Sequence, residues 1–533
     1  MRSTTRCVAA LALGVLVLGS CTDLTEAPYS EITEKNFNPT ARDLASLIAP
    51  AYTPLRDTWM GWYGNLDFQE ETADAFLTPV RPNGWYDGGT YIRLHEHRWS
   101  PTQGQPASLW SNAFRGINAA NRILYQIDSA VVPVADSIKP GIVAELKALR
   151  AYDYYLLLDG FGNVPIVTDF TAQELPQQST RAQVYDFVVQ ELTASLPNLS
   201  VARGTPTYGR VNRWAARGIL ARVYLNAEVY TGTPHYDLVL EQTQAIMDSG
   251  GYQLGTTYRA AFARNNETSV ENIWAVPYDA VNAPGSSFHM KTLKPELRFV
   301  FNMQAQPWGG SASNPQFIET YDSADTRLPD TWLMGPHFDG QGRGYDFVEY
   351  VPRIDSTDFD NGYPVWKYEI YTGETGSSDV DYPILRYAEV LMMRAEALLR
   401  TGQADAAATL VTQVRQRAFA TTTPAKATVI GTDLAQGSAY NYGWYDVDGV
   451  VKTGPAGTPV AGGGADVTYG RFLDELGWEF AAEGHRRQDL IRFGVFTTKT
   501  WFNHTPNGDY RTIFAIPSGA LNTNANLHQN PGY

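Results

Sequence analysis

The chain has 533 residues, with 41 Lys and Arg against 56 Asp and Glu and a formal net charge of −15. That acidity argues against nucleic acid or an anionic lipid surface as a partner. A hydrophobic content of 44% with only 18% charged residues excludes an intrinsically disordered polypeptide, and the length exceeds one ordinary core, so two lobes or an extended array is expected.

Arg2 and Arg6 flank the start of an apolar run over residues 8–18. This is a charged segment and a hydrophobic segment of secretory-signal length, too short for a permanent membrane span. Leu18-Gly19-Ser20-Cys21 then resembles the lipobox of bacterial lipoproteins. The resemblance implies that residues 1–20 are a signal peptide and that Cys21, carrying a diacylglycerol thioether and an added acyl chain such as palmitate, begins the mature protein. One acyl chain, at about 0.8 kcal/mol per buried methylene, holds only marginally, whereas several hold firmly. Cys7 leaves with the signal and Cys21 is the anchor, so no disulfide is available to the mature protein. No later apolar run is long enough to span a bilayer, which leaves the lipid as the one membrane contact expected. Residues 21–40, polar and carrying Pro28 and Pro39, read as a tether.

Helical spacing begins at Ala41–Leu55. The stretch from Tyr52 to Trp99 differs from the rest: ten of its 48 residues are aromatic, against 12% for the chain, and Gly61, Gly64, Asn83, Gly84, Gly88 and Gly89 mark it as largely loop. Trp110, Phe114, Ile117, Asn121 and Leu124 then recur at helical spacing, followed by Ile142, Leu146, Leu149, Tyr152 and Leu156. Glycines and Pro165 in Asp159-Gly160-Phe161-Gly162-Asn163-Val164-Pro165 end that helix. Thr180–Leu196 pairs with Asn212–Tyr230, and His235–Ser249 follows. This succession of helix pairs is similar to a tetratricopeptide array, although the strict repeat signature is not met.

Residues 250–381 lose the helical period and read as long loops with scattered aromatics. Periodicity returns with Ile384, Ala388, Leu391, Ala395 and Leu398, and Ala404–Ala418 is the partner helix. A Gly-rich insertion covers 421–467, and a last amphipathic helix, Gly470–Ala482, leads into Glu483-Gly484-His485-Arg486-Arg487-Gln488-Asp489-Leu490. The His-Arg-Arg-Gln-Asp run lacks the order of a kinase catalytic loop and is expected to pair its charges at a helix junction. Glu145, Arg150, Arg386, Glu389 and Arg394 are expected as salt-bridged scaffold positions. His95-Glu96-His97 would place two imidazoles on one strand face, but no third ligand stands nearby, so no metal site is assigned. Gly462–Gly464 has no following Lys-Ser/Thr and is no phosphate loop.

Three motifs carry a more specific resemblance. Glu145-Leu-Lys-Ala-Leu-Arg-Ala-Tyr152 running into Asp159–Pro165, Tyr382-Pro-Ile-Leu-Arg-Tyr-Ala-Glu-Val-Leu-Met-Met-Arg-Ala-Glu-Ala397, and Glu475-Leu-Gly-Trp-Glu-Phe-Ala-Ala-Glu-Gly-His-Arg-Arg-Gln-Asp-Leu490 resemble the SusD/RagB family of outer-membrane nutrient-binding lipoproteins. The resemblance implies a mostly α fold, with a tetratricopeptide-like helix-pair scaffold and long irregular loops forming the ligand-binding side. It divides the chain after the tether into an N-terminal region, 41–250, and a C-terminal region, 251–533. It further implies an anchor in the outer membrane facing outward, and a non-catalytic lid on a SusC-like TonB-dependent transporter that delivers oligosaccharides or, in some members, peptides. No cofactor is indicated, although a structural calcium ion is left open.

A pyranose offers an apolar face to an aromatic ring and a rim of hydroxyls to polar side chains. On that ground Trp59, Trp62, Tyr63, Asp74, Arg81, Asn83, Trp85, Tyr86 and Trp99 are candidate ligand residues, with Tyr278 and Trp308 on an opposite wall. Two rival readings stand beside this one. A glycoside hydrolase would need a spaced carboxylate pair, which no motif marks, and a structural interaction protein would bind a partner polypeptide and no small ligand. The anchor reading has a direct check: Cys21→Ala is expected to release folded protein from the membrane fraction. Membrane retention of that variant, with its signal still processed, would overturn the lipid anchor.

Overall fold

The computed structural model describes residues 41–82, 86–445, 451–452 and 463–533. The signal, Cys21, the tether, Asn83 and Trp85 therefore lie outside the described residues, as do 446–450 and 453–462 of the 421–467 insertion.

The scaffold is built from α1 (Ala41–Tyr52), α2 (Gly104–Asp128), α3 (Lys139–Phe161), α4 (Arg181–Ser195), α5 (Arg213–Leu225), α6 (Tyr236–Ser249), α7 (Tyr387–Arg400), α8 (Ala404–Phe419), α9 (Gly470–Phe480) and α10 (Arg486–Arg492). Local chemistry sets their ends. Thr180 and Gln183 form a reciprocal capping box at α4, and the Asn212 side chain accepts from the N–H groups of Trp214 and Ala215 at the start of α5. Gly162, at φ +71°, stops α3.

Each helix from α2 to α7 packs on its successor. The contact between α6 and α7 is made although residues 250–386 intervene. α3 is the centre of this stack, buried on every side from Leu146 to Phe161 apart from Lys147, as expected for a helix apolar around most of its circumference. One continuous hydrophobic core runs from Ile48 to Phe514, so the length is absorbed by an array with a shared core.

The described strands form only two-stranded ladders. β1 (Phe76–Leu77) pairs with β3 (Ala312–Ser313), and β2 (Asn272–Val276) pairs antiparallel with β4 (Tyr382–Arg386). The second ladder closes the base of the long irregular insertion and delivers the chain directly into α7.

At that closure lies a buried ionic network. Arg386 donates from Nη1 to Glu271 at 2.8 Å and Glu479 at 2.7 Å, and from Nε to Glu483 at 2.6 Å. Arg417 bonds Glu271 at 2.6 Å and also reaches Glu479. Arg327 adds contacts to Asp325, Glu475 and Glu479, and Lys367 bonds Glu483 at 2.5 Å. Burial by itself would raise the Glu479 carboxyl, but Arg417, Arg386 and Arg327 outweigh it and hold it at about 2.

Other expected scaffold charges also find partners. Glu145 pairs with Arg210, Arg150 with Glu191 and Glu389 with Arg222, while Arg394 bonds the Leu240 carbonyl rather than a carboxylate. At the α9–α10 junction Arg486 pairs with Asp74, Arg487 with Asp159 and Asp489 with Arg492.

Asp153, in contrast, has no ion-pair partner among the described residues. It is buried with Oδ2 unbonded where Gly116 lets α2 approach α3, since a Cβ at Gly116 would stand 2.4 Å from that oxygen. Burial alone holds its carboxyl well above the usual range.

The two groups shift stability in opposite senses. The depressed Glu479 contributes stability that is present above its unfolded value of about 4.5 and is lost as pH falls toward about 2. Glu479→Gln, which strands buried guanidinium groups, is expected to cost ~3–5 kcal/mol and to flatten the acid limb of a stability–pH curve from urea melts. Asp153 keeps its proton on folding, so its contribution falls as pH rises above the unfolded value. Asp153→Asn is therefore expected to raise the urea midpoint, and by more at pH ~8 than at pH ~5; an unchanged difference between those conditions would overturn the assignment of a protonated core carboxyl.

Candidate ligand-binding site

A tight turn between the short helices Pro54–Trp59 and Asn65–Glu70 sorts the first aromatics. A Cβ at Gly61 would meet Asp57 O at 2.8 Å, and one at Gly64 would meet Trp59 O at 2.4 Å, so both positions need glycine. Tyr63 between them takes a left-handed φ of 57°. The turn sends Trp59 inward, where it is buried and stacked on Tyr382 at 4.7 Å. It sends Trp62 outward, 42% exposed.

Trp62 lies 5.4 Å from the Tyr63 ring and meets Trp308 edge to face, with centroids 5.1 Å apart and planes at 76°. Tyr63 donates to Asp87 at 2.9 Å, and burial, reinforced by that carboxylate, pushes its hydroxyl up to about 12. Asp87, Gly88 and Gly89 are three successive left-handed residues. Exposed Tyr86 folds over Gly89, where a Cβ would stand 2.7 Å from the phenolic oxygen. The two outer walls of the aromatic cluster thus come from loops, and a third, Trp308, comes from the long insertion.

Several buried contacts fix that meeting. Ser287 N–H donates to Met60 O at 3.0 Å, and Trp308 N–H donates to Met290 O at 2.7 Å. Lys291, next in the chain to Met290, forms a buried ion pair with Asp67 on the short helix that follows the turn. Glu71 accepts from Thr78 and from Ser311, each at 2.6 Å, joining the N-terminal segment to the strand beside Trp308. Burial raises that carboxyl to about 7, with the two hydroxyls opposing the shift.

Five expected ligand residues are corrected by their placement, because each is buried and spent on protein contacts. Trp59 stacks on Tyr382. Asp74 receives Arg486 at 2.6 and 2.8 Å and Tyr442 Oη at 2.9 Å. Arg81 donates to the carbonyls of Asp358 and Asn361, and burial lowers it to about 9. Trp99 stacks on Phe514 at 4.3 Å and donates to Tyr533. Tyr278 donates to Arg56 O at 2.7 Å and braces the turn from below. Of the opposite wall, Trp308 alone reaches the cluster.

His95 and His97 also differ from expectation. They sit at the end of a short helix and in a left-handed turn, not on a strand. Each ring is buried against a backbone carbonyl, Phe502 O and Thr72 O, and burial lowers His97 to about 3. Among the described residues no three His, Cys, Asp or Glu side chains group as a metal site requires, and no described helix is long and apolar enough to cross a membrane. Asp67, Glu71 and Lys291 carried no recognisable sequence signal; Asp87 lay in the glycine-rich loop but was not singled out.

The chain matches two family models, described as "Starch-binding associating with outer membrane" over residues 29–225 and "SusD family" over residues 270–533. The starch-binding protein SusD of Bacteroides thetaiotaomicron is 25% identical over 504 residues, covering 84% of this chain and 82% of SusD. A SusD superfamily protein from Parabacteroides distasonis superposes with a TM-score of 0.71 at 19% identity, over 94% of this chain and 100% of the other. Surface glycan-binding protein A from Bacteroides thetaiotaomicron, solved with laminarihexaose, superposes at 0.68 with 20% identity, over 92% of this chain and 99% of the other. With the helical stack and both halves matched in order, the chain belongs to the SusD family.

Proposed function

We propose that this protein is a non-catalytic cell-surface receptor for oligosaccharides. The Trp62–Trp308 pair carries the reading: two rings from distant segments are held edge to face by buried contacts, with Trp62 exposed to solvent and Trp308 half-buried beside it. Burying a ring against protein needs no such exposure, whereas stacking on the C–H face of a sugar does. An exposed ring offers an apolar face to the C–H groups of a sugar, and Tyr63, Asp87 and Tyr86 offer hydroxyl and carboxylate groups to its rim. The name of the SusD relative and the laminarihexaose held by the glycan-binding neighbour support the ligand class. In this reading Cys21 anchors the protein in the outer membrane, and the bound oligosaccharide passes to a SusC-like TonB-dependent transporter, which supplies the energy for import.

Affinity electrophoresis through a polysaccharide panel, with analysis for released fragments, tests this. The expected result is retardation without cleavage, weakened about tenfold by Trp62→Ala or Trp308→Ala. Release of fragments would make the protein an enzyme. Retention of full affinity by the double variant would move the ligand off this pair, and failure with every polysaccharide alongside binding of a peptide would make it a peptide receptor.

A further inference from the structure

A second concavity, of about 610 Å³, shares no residue with the Trp62–Trp308 cluster. Its volume lies in the range that encloses a small ligand, about 300–1,000 Å³. One wall is a stripe of α2, Trp110, Phe114 and Asn118, spaced so that they follow one another along a single face. The other wall is the extended run after α3, residues 165–176, and the floor is the short helix Ser518–Thr523 with Leu527. Gly104 lies beneath Tyr63, and Trp110 stands roughly 9 Å further along the helix axis.

Both walls are rigid. Val167 N–H donates to Tyr154 Oη at 2.7 Å, and Val167 O accepts from Asn121 at 2.8 Å. At the far end Asn524 donates to Pro176 O at 2.9 Å and Asn526 donates to Leu175 O at 2.8 Å. The Trp110 indole is half-buried, braced by Phe114 at 4.9 Å and by Phe161 edge-on at 5.2 Å, so its ring is held in place at the cavity wall. Around the mouth stand the exposed side chains of Asn118, Thr168, Asp169 and Glu174. Those of Asn118, Thr168 and Glu174 make no hydrogen bond within the protein among the described residues.

We infer that this cavity is a second carbohydrate site, for one or two units of a neutral glycan; the ligand class rests on the function proposed above. A fixed indole beside proline and isoleucine surface suits the C–H face of a sugar, and the free Asn118 carboxamide, Thr168 hydroxyl and Glu174 carboxylate suit its hydroxyls. Among the described residues no lysine or arginine lines the cavity and two carboxylates stand at its mouth, so an anionic glycan is repelled. A purely apolar occupant would leave the polar mouth unused. Two sites on one rigid chain would hold a polymer with an avidity that neither reaches alone.

Fluorotryptophan-labelled protein, with resonances assigned by single substitutions, is titrated with maltohexaose, laminarihexaose, xylohexaose and mannohexaose and followed by fluorine NMR. At least one hexasaccharide is expected to shift the Trp110 resonance, in the wild type and equally in the Trp62→Ala/Trp308→Ala variant. Asn118→Ala, a change at an exposed position, is expected to weaken that response roughly fivefold. Silence of Trp110 with all four sugars overturns the site, as does a Trp110 shift that vanishes in the double variant or one produced only by an apolar peptide. A responsive Trp110 with silent Trp62 and Trp308 would uphold this site while refuting the first.

Discussion

The closure of the long insertion depends on one guanidinium. Arg386 stands where β4 runs into α7 and binds carboxylates from before β2, from α9 and from beyond α9. Removing so many charges from water is costly, and a lone buried ion pair often adds little net stability. Here the geometry decides. Glu70, Glu71 and Glu479 are all fully buried, yet the first two are raised to about 7 and Glu479 is held at about 2. Three guanidinium groups around Glu479 overcome a burial penalty that two hydroxyls around Glu71 do not.

That network gives a physical reason for an irregular segment to have one structure. Residues 250–381 have little periodic secondary structure to hold them, so their backbone must be fixed by specific partners. Lys367 on Glu483 and Arg327 on Glu475 and Glu479 attach the insertion from within. Lys291 on Asp67 attaches it to the N-terminal segment. The outcome is that Trp308 is carried to Trp62, and an aromatic pair is assembled from chain segments that no local rule connects. Rigid attachment also limits the entropy lost when a ligand binds.

The helices were legible because their information is local. The apolar spacing in Ile142–Leu156 or Ile384–Leu398 is a property of a few turns, and caps such as Thr180 and Asn212 lie beside the helices they start. The charged motifs were legible as scaffold for a related reason: Glu145 and Glu389 sit at positions whose periodicity turns them into the protein, and Arg486 stands at a helix junction where charges pair. The aromatic loops gave no such guide. Trp59 and Trp62 are three residues apart and of one type, but a turn that needs Gly61 and Gly64 puts the first in the core and the second in solvent.

By itself, then, the sequence determined the helical class, the family motifs, the segment rich in rings and the acidity that argues against nucleic acid. It also marked Trp62 and Trp308 as candidates, though in company with Trp59, Asp74, Arg81, Trp99 and Tyr278. Only the tertiary structure separated these, because exposure depends on what a distant segment lays against each side chain. Tyr382 covers Trp59, Arg486 takes Asp74 and Phe514 covers Trp99, each from more than 300 residues away. Periodicity carries no record of such partners; long-range packing does.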